Sequence, residues 1–280
     1  MRRLRAFGML AILMSMLSAT VKADNAGDIF SIGLSVRSLG MAGAYMALAD
    51  DEAAVLHNPC GLAAYDAFGF TSVYSQQFGG VSYGGIGIAI PYVGAALLAL
   101  DSGVIASGDT TFRYATQGAV VSLAVPVGPV ALGLRFRYAH ISSPSVAGGW
   151  ALDPAISVET GFLKATLIYE AAIQDPMRSE SGSEDAWLSS LGLGVAATLE
   201  PFDRVTWSAT FQADRVFSSS TGVAAGLETW IGGLGARVGY SAGGLALGLS
   251  VRLAGFQLDW AYAMHDDLGD SHRAALSIRF

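Results

Sequence analysis

The sequence predicts a transmembrane antiparallel β-barrel of about fourteen strands (twelve being the alternative count), with an irregular N-terminal hatch segment in its lumen. Three observations predict it. The chain of 280 residues is 52% hydrophobic and only 14% charged, where soluble domains carry about a quarter charged residues. Beyond the N-terminus, no uninterrupted apolar run reaches the roughly 18 residues that a spanning helix needs. Val93–Leu100 stops at Asp101, and Gly243–Gly255 contains Arg252. From Phe68 onward, apolar residues recur at every second position. Only helices and closed barrels satisfy every backbone group in lipid, so an apolar chain without spanning helices points to a barrel. The 35 glycines agree: they are costly in helices and useful in tightly packed, strongly curved sheets.

Residues 1–23 read as a secretory signal peptide. Arg2, Arg3 and Arg5 form the charged start, Ala6 to Leu17 the apolar core, and Val21-Lys22-Ala23 a small-x-Ala cleavage site. The apolar core is too short to span a bilayer, which argues against a membrane anchor. Its removal takes away Arg2, Arg3, Arg5 and Lys22 and no acid, moving the formal charge from −7 to about −11. Such acidity disfavours nucleic-acid binding, which needs clustered Lys and Arg. The sole cysteine, Cys60, excludes an intrachain disulfide framework and does not sit at the cleavage site. The expected organisation is a signal peptide (1–23), a hatch (24–65) and a barrel (66–280).

The barrel rests on alternation. Phe256, Leu258, Trp260, Tyr262 and Met264 alternate with Gln257, Asp259, Ala261, Ala263 and His265, and Val130–Ala139, Val205–Asp214 and Leu245–Ala254 behave alike. One face is apolar; the other is small residues with isolated charges, which suits a narrow, filled lumen. Strands are expected at Phe68–Gln76, Tyr83–Tyr92, Val93–Leu100, Gln117–Val127, Pro129–His140, Gly149–Thr160, Phe162–Ile173, Ser189–Leu199, Arg204–Asp214, Val223–Ile231, Leu234–Tyr240, Leu245–Leu253, Phe256–Met264 and Ala274–Phe280. Connections after even-numbered strands are short, such as Val127-Gly128-Pro129 and Gly161. Those after odd-numbered strands are mostly longer, such as Asp101–Thr116, Ile141–Gly148 and Gln174–Leu188. That asymmetry belongs to a barrel with two unlike rims.

The last strand carries Ala274, Leu276, Ile278 and Phe280 on one face and stops on the aromatic residue. Leu276, Ile278 and Phe280 resemble the terminal signal by which barrel-assembly machinery recognises outer-membrane barrels.

The segment Ser31–Ala64 does not alternate. Its residues Arg37-Ser38-Leu39-Gly40-Met41-Ala42-Gly43-Ala44, then Ala47-Leu48-Ala49-Asp50-Asp51, then Asn58-Pro59-x-Gly61-Leu62 resemble the FadL-like outer-membrane transporters, nearest the PorV/PorQ group, over almost the whole mature chain. The resemblance implies a hatch inside the barrel, anchored to the wall by the Asn-Pro motif. It also implies one of two roles. One branch carries hydrophobic compounds, which leave sideways through the wall; the other serves a protein-secretion system. Cys60 stands where the family usually has Ala, and His57 where it often has an aromatic residue.

Residue chemistry gives the hatch its own rationale. Irregular backbone at membrane depth is tolerated only where protein or a cavity surrounds it. Gly40 and Gly43 permit close approach and positive φ, and Pro59 fixes the chain's direction. Buried Asp50 and Asp51 would need cations, and the inward phase offers Arg135, Arg137, Arg237, Arg252 and Arg279 beside the acids Glu159, Glu170, Glu228 and Asp259. The expectation is that the Asp pair ties the hatch to those arginines and that Arg37 ties it to Glu159, Glu170 or Glu228.

No enzyme, cofactor or metal is expected. His57, His140, His265 and His272 are scattered without metal-ligand spacing. The run His265-Asp266-Asp267 with Asp270 reads as a solvated loop rather than a calcium or hydrolase site. Gly192-x-Gly194 and Gly232–Gly235 precede no helix that would bind phosphate. Trp150, Trp207, Trp230 and Trp260 read as membrane-interface or packing aromatics. The leading expectation is passive passage of small hydrophobic molecules, gated by the hatch. A secretion-system barrel that docks other proteins and a structural barrel without conduction are the alternatives. The implied partners are outer-membrane lipid, the barrel-assembly machinery during insertion, and either an apolar ligand or a secretion protein.

Overall fold

The computed structural model describes residues 29–77, 80–107, 110–143, 146–179, 182, 184–216, 221–264 and 270–280. The predicted signal peptide, the first hatch residues 24–28 and the run His265-Asp266-Asp267 lie outside them. No helix among the described residues is long and apolar enough to cross a membrane.

The first described residues form an inner segment of short helical pieces. These are α1 (Ile29–Ile32), α2 (Val36–Gly40), α3 (Ala54–His57) and a 3-10 turn at Pro59–Ala63. Two of them are fixed by local caps. Ser35 caps α2, its hydroxyl accepting from Ser38 N at 3.1 Å. Gly43, at φ +93°, closes the far end by donating its N–H to Ser38 O at 2.9 Å. Asn58 caps the 3-10 turn through Cys60 N at 3.0 Å, with Pro59 pre-set for the first turn position.

Sixteen strands follow among the described residues. They are β1 (Gly69–Gln77), β2 (Val81–Ile90), β3 (Val93–Ser107), β4 (Thr110–Val127), β5 (Val130–Ser143), β6 (Ala147–Thr160), β7 (Leu163–Glu170), β8 (Ile173–Ser179), β9 (Glu184–Asp185), β10 (Ser190–Phe202), β11 (Val205–Val216), β12 (Gly222–Ile231), β13 (Leu234–Ser241), β14 (Gly244–Leu253), β15 (Phe256–Ala263) and β16 (Ser271–Arg279). All pair antiparallel. β8 and β9 stand outside the ring, and the other fourteen close it. Closure joins β1 to β16, with Phe70 opposite Ile278; at the rim, Phe280 N donates to Phe68 O at 2.9 Å.

The alternation reads through to three dimensions. Outward Leu249, Leu258 and Leu276 are exposed, while inward Ser250, Ala261 and Ser277 are buried under the inner segment. The band of exposed Leu, Val, Ile and aromatic side chains around the ring is the surface a barrel presents to lipid. The terminal residues Leu276 and Phe280 belong to this outer band.

Two expectations about loops need correction. Asp101–Thr116 is mostly strand: β3 and β4 run on as a long hairpin, with a register shift between Asp101 and Val104. The shift changes the alternation phase, and beyond the apolar band neither face needs to be apolar, so the periodic signal fades there. Gln174–Leu188 likewise contains β8 and β9. β6 is shared, its Ala155–Thr160 half pairing with β7 and its Ala147–Leu152 half with β8.

Candidate site at the interface of inner segment and wall

The inner segment meets the wall at charged, polar and glycine contacts spread around the ring. Arg37 is the centre of the first. Its Nε and Nη2 donate to the two carboxylate oxygens of Glu228 on β12 at 3.0 and 2.7 Å, while Nη1 reaches Asp50 at 2.6 Å and Asp51 at 2.8 Å. Glu228 in turn accepts from Arg237 of β13, whose Nη1 bonds Ser250 at 2.5 Å and lies 3.5 Å from Asp259 of β15. Burial alone would raise the Asp51 pKa, but the Arg37 guanidinium outweighs it and holds the carboxylate at about 2.

The expected Arg37 tie to the wall is therefore present, and Glu228 is its partner. The Asp pair departs from expectation. Asp50 and Asp51 bind Arg37 of their own segment, because α2 carries the guanidinium between them and the wall. The acid that reaches a wall arginine is the next residue, Glu52, which accepts from Arg279 of β16 at 2.5 Å and from Tyr65 Oη at 2.8 Å.

Asn58 supplies the second contact. Besides its cap, its Nδ2 donates to Met46 O at 2.9 Å and reaches Thr166 of β7 at 3.3 Å and Ser157 of β6 at 3.4 Å. One fully buried amide thus joins two stretches of the segment to two strands. Cys60 beside it is buried, its thiol donating to Ala131 O at 3.4 Å. Gln212 of β11 accepts from the backbone N–H groups of Tyr45 and Met46 at 3.1 and 2.8 Å.

Arg135 and Arg137 of β5 share Asp153 of β6, each with a nitrogen 2.7 Å from its Oδ2. Arg135 also donates to Leu56 O at the end of α3 and to Glu170 at 2.6 Å. Glu159 is not a lumen residue: its side chain is 58% exposed at the rim, 4.0 Å from Lys164. Arg252 turns to Gln257 and stacks at 4.4 Å over Trp230. Trp230 is itself buried inside, so it is a packing aromatic, whereas Trp207 and Trp260 are exposed on the outer band.

Glycine makes the close fit. The Gly40 and Gly248 backbones touch, and a Cβ on either would lie 3.0–3.2 Å from the other's Cα. A Cβ on Gly239 of β13 would land inside the Met41 backbone, and one on Gly61 would overlap Ala49 O. Ala44 and Leu62 are fully buried at the same interface, and Pro59 Cγ lies against Gly133 of β5.

Sequence reading missed three participants. Asp153 was hidden by the Pro154 that follows it. Arg273 of β16 sits in the inward phase but was not counted among the lumen charges. It donates to Ile32 O and lies under the Tyr83 ring, and no carboxylate pairs with it among the described residues. Trp187 lies in a stretch expected to be loop, where no periodicity marks a side chain as inward. His57 packs edge-on against Tyr45 at 5.3 Å; burial, aided by Arg135 and Arg273, pushes its pKa down to about 4. No cluster of three metal-ligating side chains occurs among the described residues.

A closed fourteen-stranded barrel with an apolar outer band and an occupied interior is the architecture of outer-membrane channels and transporters. The sequence matches no family model and no curated protein. Solved structures do match in fold. The Pseudomonas putida toluene transporter TodX aligns over 88% of this chain and 98% of its own, at TM-score 0.61 and 12% identity. The monoaromatic hydrocarbon channel CymD aligns over 91% and 99% at TM-score 0.59 and 11% identity. A Pseudomonas aeruginosa FadL homologue aligns over 89% and 98% at 0.51 and 11%. At such identities the likeness is one of fold.

Proposed function

We propose that this chain is an outer-membrane transporter, exported through a cleaved signal peptide, which passes small apolar molecules passively through its lumen. The inner segment acts as the hatch. The observation that carries this reading is the occupied lumen: residues 29–65 fill it, packing Leu34, Met41 and Leu62 into one apolar core with the wall's Val73, Leu98 and Val120, and tying themselves to the wall through ion pairs and glycine contacts. The ion pairs are discrete ties that can be exchanged when the segment shifts against the wall, as a gate requires. The structural likeness to channels described as carrying toluene and monoaromatic hydrocarbons supports the same class of cargo.

In this reading Arg37, Asp51, Asn58 and Gly61 hold the hatch, while Glu228, Arg237, Arg135 and Arg279 receive it. Leu276, Ile278 and Phe280 guide assembly of the barrel. Uptake of radiolabelled toluene by a porin-poor Gram-negative host tests it: expression of the chain is expected to raise the initial rate several-fold over empty cells. An unchanged rate, together with a stoichiometric protein partner on purification, would replace it with the PorV-like reading of a secretion component that docks other proteins.

A further inference from the structure

The barrel closes where its first strand meets its last, and the two sides of that seam are unlike. Inward residues of β1 and β16 face each other as Gly69–Arg279, Thr71–Ser277, Val73–Ala275 and Ser75–Arg273. In the first of these pairs β16 brings a cation and β1 brings no side chain. Elsewhere the wall pairs its own charges across neighbouring strands: Arg135 of β5 with Asp153 of β6, and Arg237 of β13 with Glu228 of β12. Opposite charges facing each other across two strands strengthen their pairing. At the closing seam β1 carries no acid for Arg279.

The inner segment supplies that acid. Glu52 is buried, and its carboxylate oxygens accept from Arg279 Nε at 2.5 Å and from Arg279 Nη2 at 3.3 Å. Tyr65, just ahead of β1, donates its Oη to the same carboxylate at 2.8 Å. One carboxylate therefore holds a side chain that leads into the first strand and a side chain that ends the last. Gly69 makes room for it: a Cβ there would collide with Tyr65 Oη and lie 2.5 Å from Glu52 Oε1. Beside this clamp, the Phe68 and Phe280 backbones exchange hydrogen bonds and their rings lie 5.8 Å apart.

We propose that the inner segment has a second role, as the lock of the barrel's closing seam, exercised through Glu52. The acid that joins β16 to β1 is carried by neither strand, so the seam reaches its full strength only with the segment seated. Closure is what removes the free strand edges of a barrel, and β1–β16 is the ladder that joins the two ends of the wall. The role concerns the assembled wall and goes beyond the transport reading.

Amide hydrogen exchange of the purified, folded full chain, read by mass spectrometry, tests the lock whether or not any apolar molecule is carried. In Glu52→Gln, the amides of residues 70–75 and 274–279 are expected to exchange about ten-fold faster than in the parent, with Leu234–Ser241 of β13 unchanged. Arg279→Gln is expected to act alike, and the double variant to be no worse than either single one, because both remove the same tie. Tyr65→Phe keeps the ion pair and is expected to give a smaller rise at the same amides. Parental exchange of the seam in Glu52→Gln would overturn the proposal. So would additive effects of the two single variants, or equal loosening of β13, which would make Glu52 an ordinary packing residue. Should Glu52→Gln yield no folded barrel, Tyr65→Phe decides: a rise confined to the seam supports the lock, and parental exchange there overturns it.

Discussion

Arg37 and Glu228, 191 residues apart in sequence, meet through two parallel hydrogen bonds of 3.0 and 2.7 Å. The remaining guanidinium nitrogen serves Asp50 and Asp51, so one side chain joins the inner segment to itself and to the wall. Breaking a buried pair by removing one partner costs on the order of 3 kcal/mol, because a charge is left unmatched. Arg37→Met should therefore loosen residues 34–65 strongly, and Arg37→Lys should rescue only partly, since an ammonium lacks the fork that fits Glu228. Protection of these amides against exchange is the measurement; parental protection in Arg37→Met would refute the role.

Arg273 predicts the opposite behaviour. Its guanidinium is buried against a carbonyl and a tyrosine ring, and no carboxylate among the described residues offsets its desolvation. Arg273→Met should change stability by no more than about 1 kcal/mol, as replacing a poorly compensated buried charge by an apolar group of similar length often does. Thermal unfolding in detergent would show it; a loss as large as that of Arg37→Met would contradict the assignment.

Gly239 and Gly222 form a matched control. A Cβ at 239 would overlap the Met41 backbone, whereas one at 222 meets nothing within 4 Å. Gly239→Ala should displace the Met41 turn at a cost of about 1–3 kcal/mol, and Gly222→Ala should be silent. Limited proteolysis of folded barrels separates the two, with early cleavage near Met41 expected only in the first.

Acid should weaken docking of the inner segment. His57 titrates near 6.5 when free and about 4 in place; Asp51 falls from 3.8 to about 2. Both folded-state values are depressed, so their contribution is complete above pH 6.5 and is lost as pH falls. The His57 part goes between 6.5 and 4, at up to about 1.4 kcal/mol per pH unit. The Asp51 part goes below about 4. Protection factors corrected for intrinsic exchange should fall from pH 7 to 4.5 in the parent and stay level in His57→Gln.

The barrel was legible because lipid enforces alternation, and each of the fourteen ring strands left that mark. The Arg37–Glu228 tie was legible too, since an inward acid and a motif arginine leave few other solutions. The Asp50–Asp51 pairing was not. Which of several cations a buried acid meets depends on the turn at Met41–Gly43, and composition does not reveal how that turn folds back. Trp187 was missed for a related reason: it lies between strands at the mouth of the barrel, where no period-two pattern marks a side chain as inward.

The central claim is that apolar molecules cross this barrel only when the inner segment yields. Ile29 and Gly118 allow a direct test, because a Cβ at 118 would lie 3.0 Å from Ile29 Cγ2, which puts the two positions in side-chain contact. In an Ile29→Cys/Gly118→Cys chain with Cys60→Ala, toluene uptake by expressing cells is measured oxidised and then reduced. The account predicts uptake at the level of empty cells when the bond is closed, and recovery on reduction. Equal uptake in both states, above that of empty cells, would contradict it.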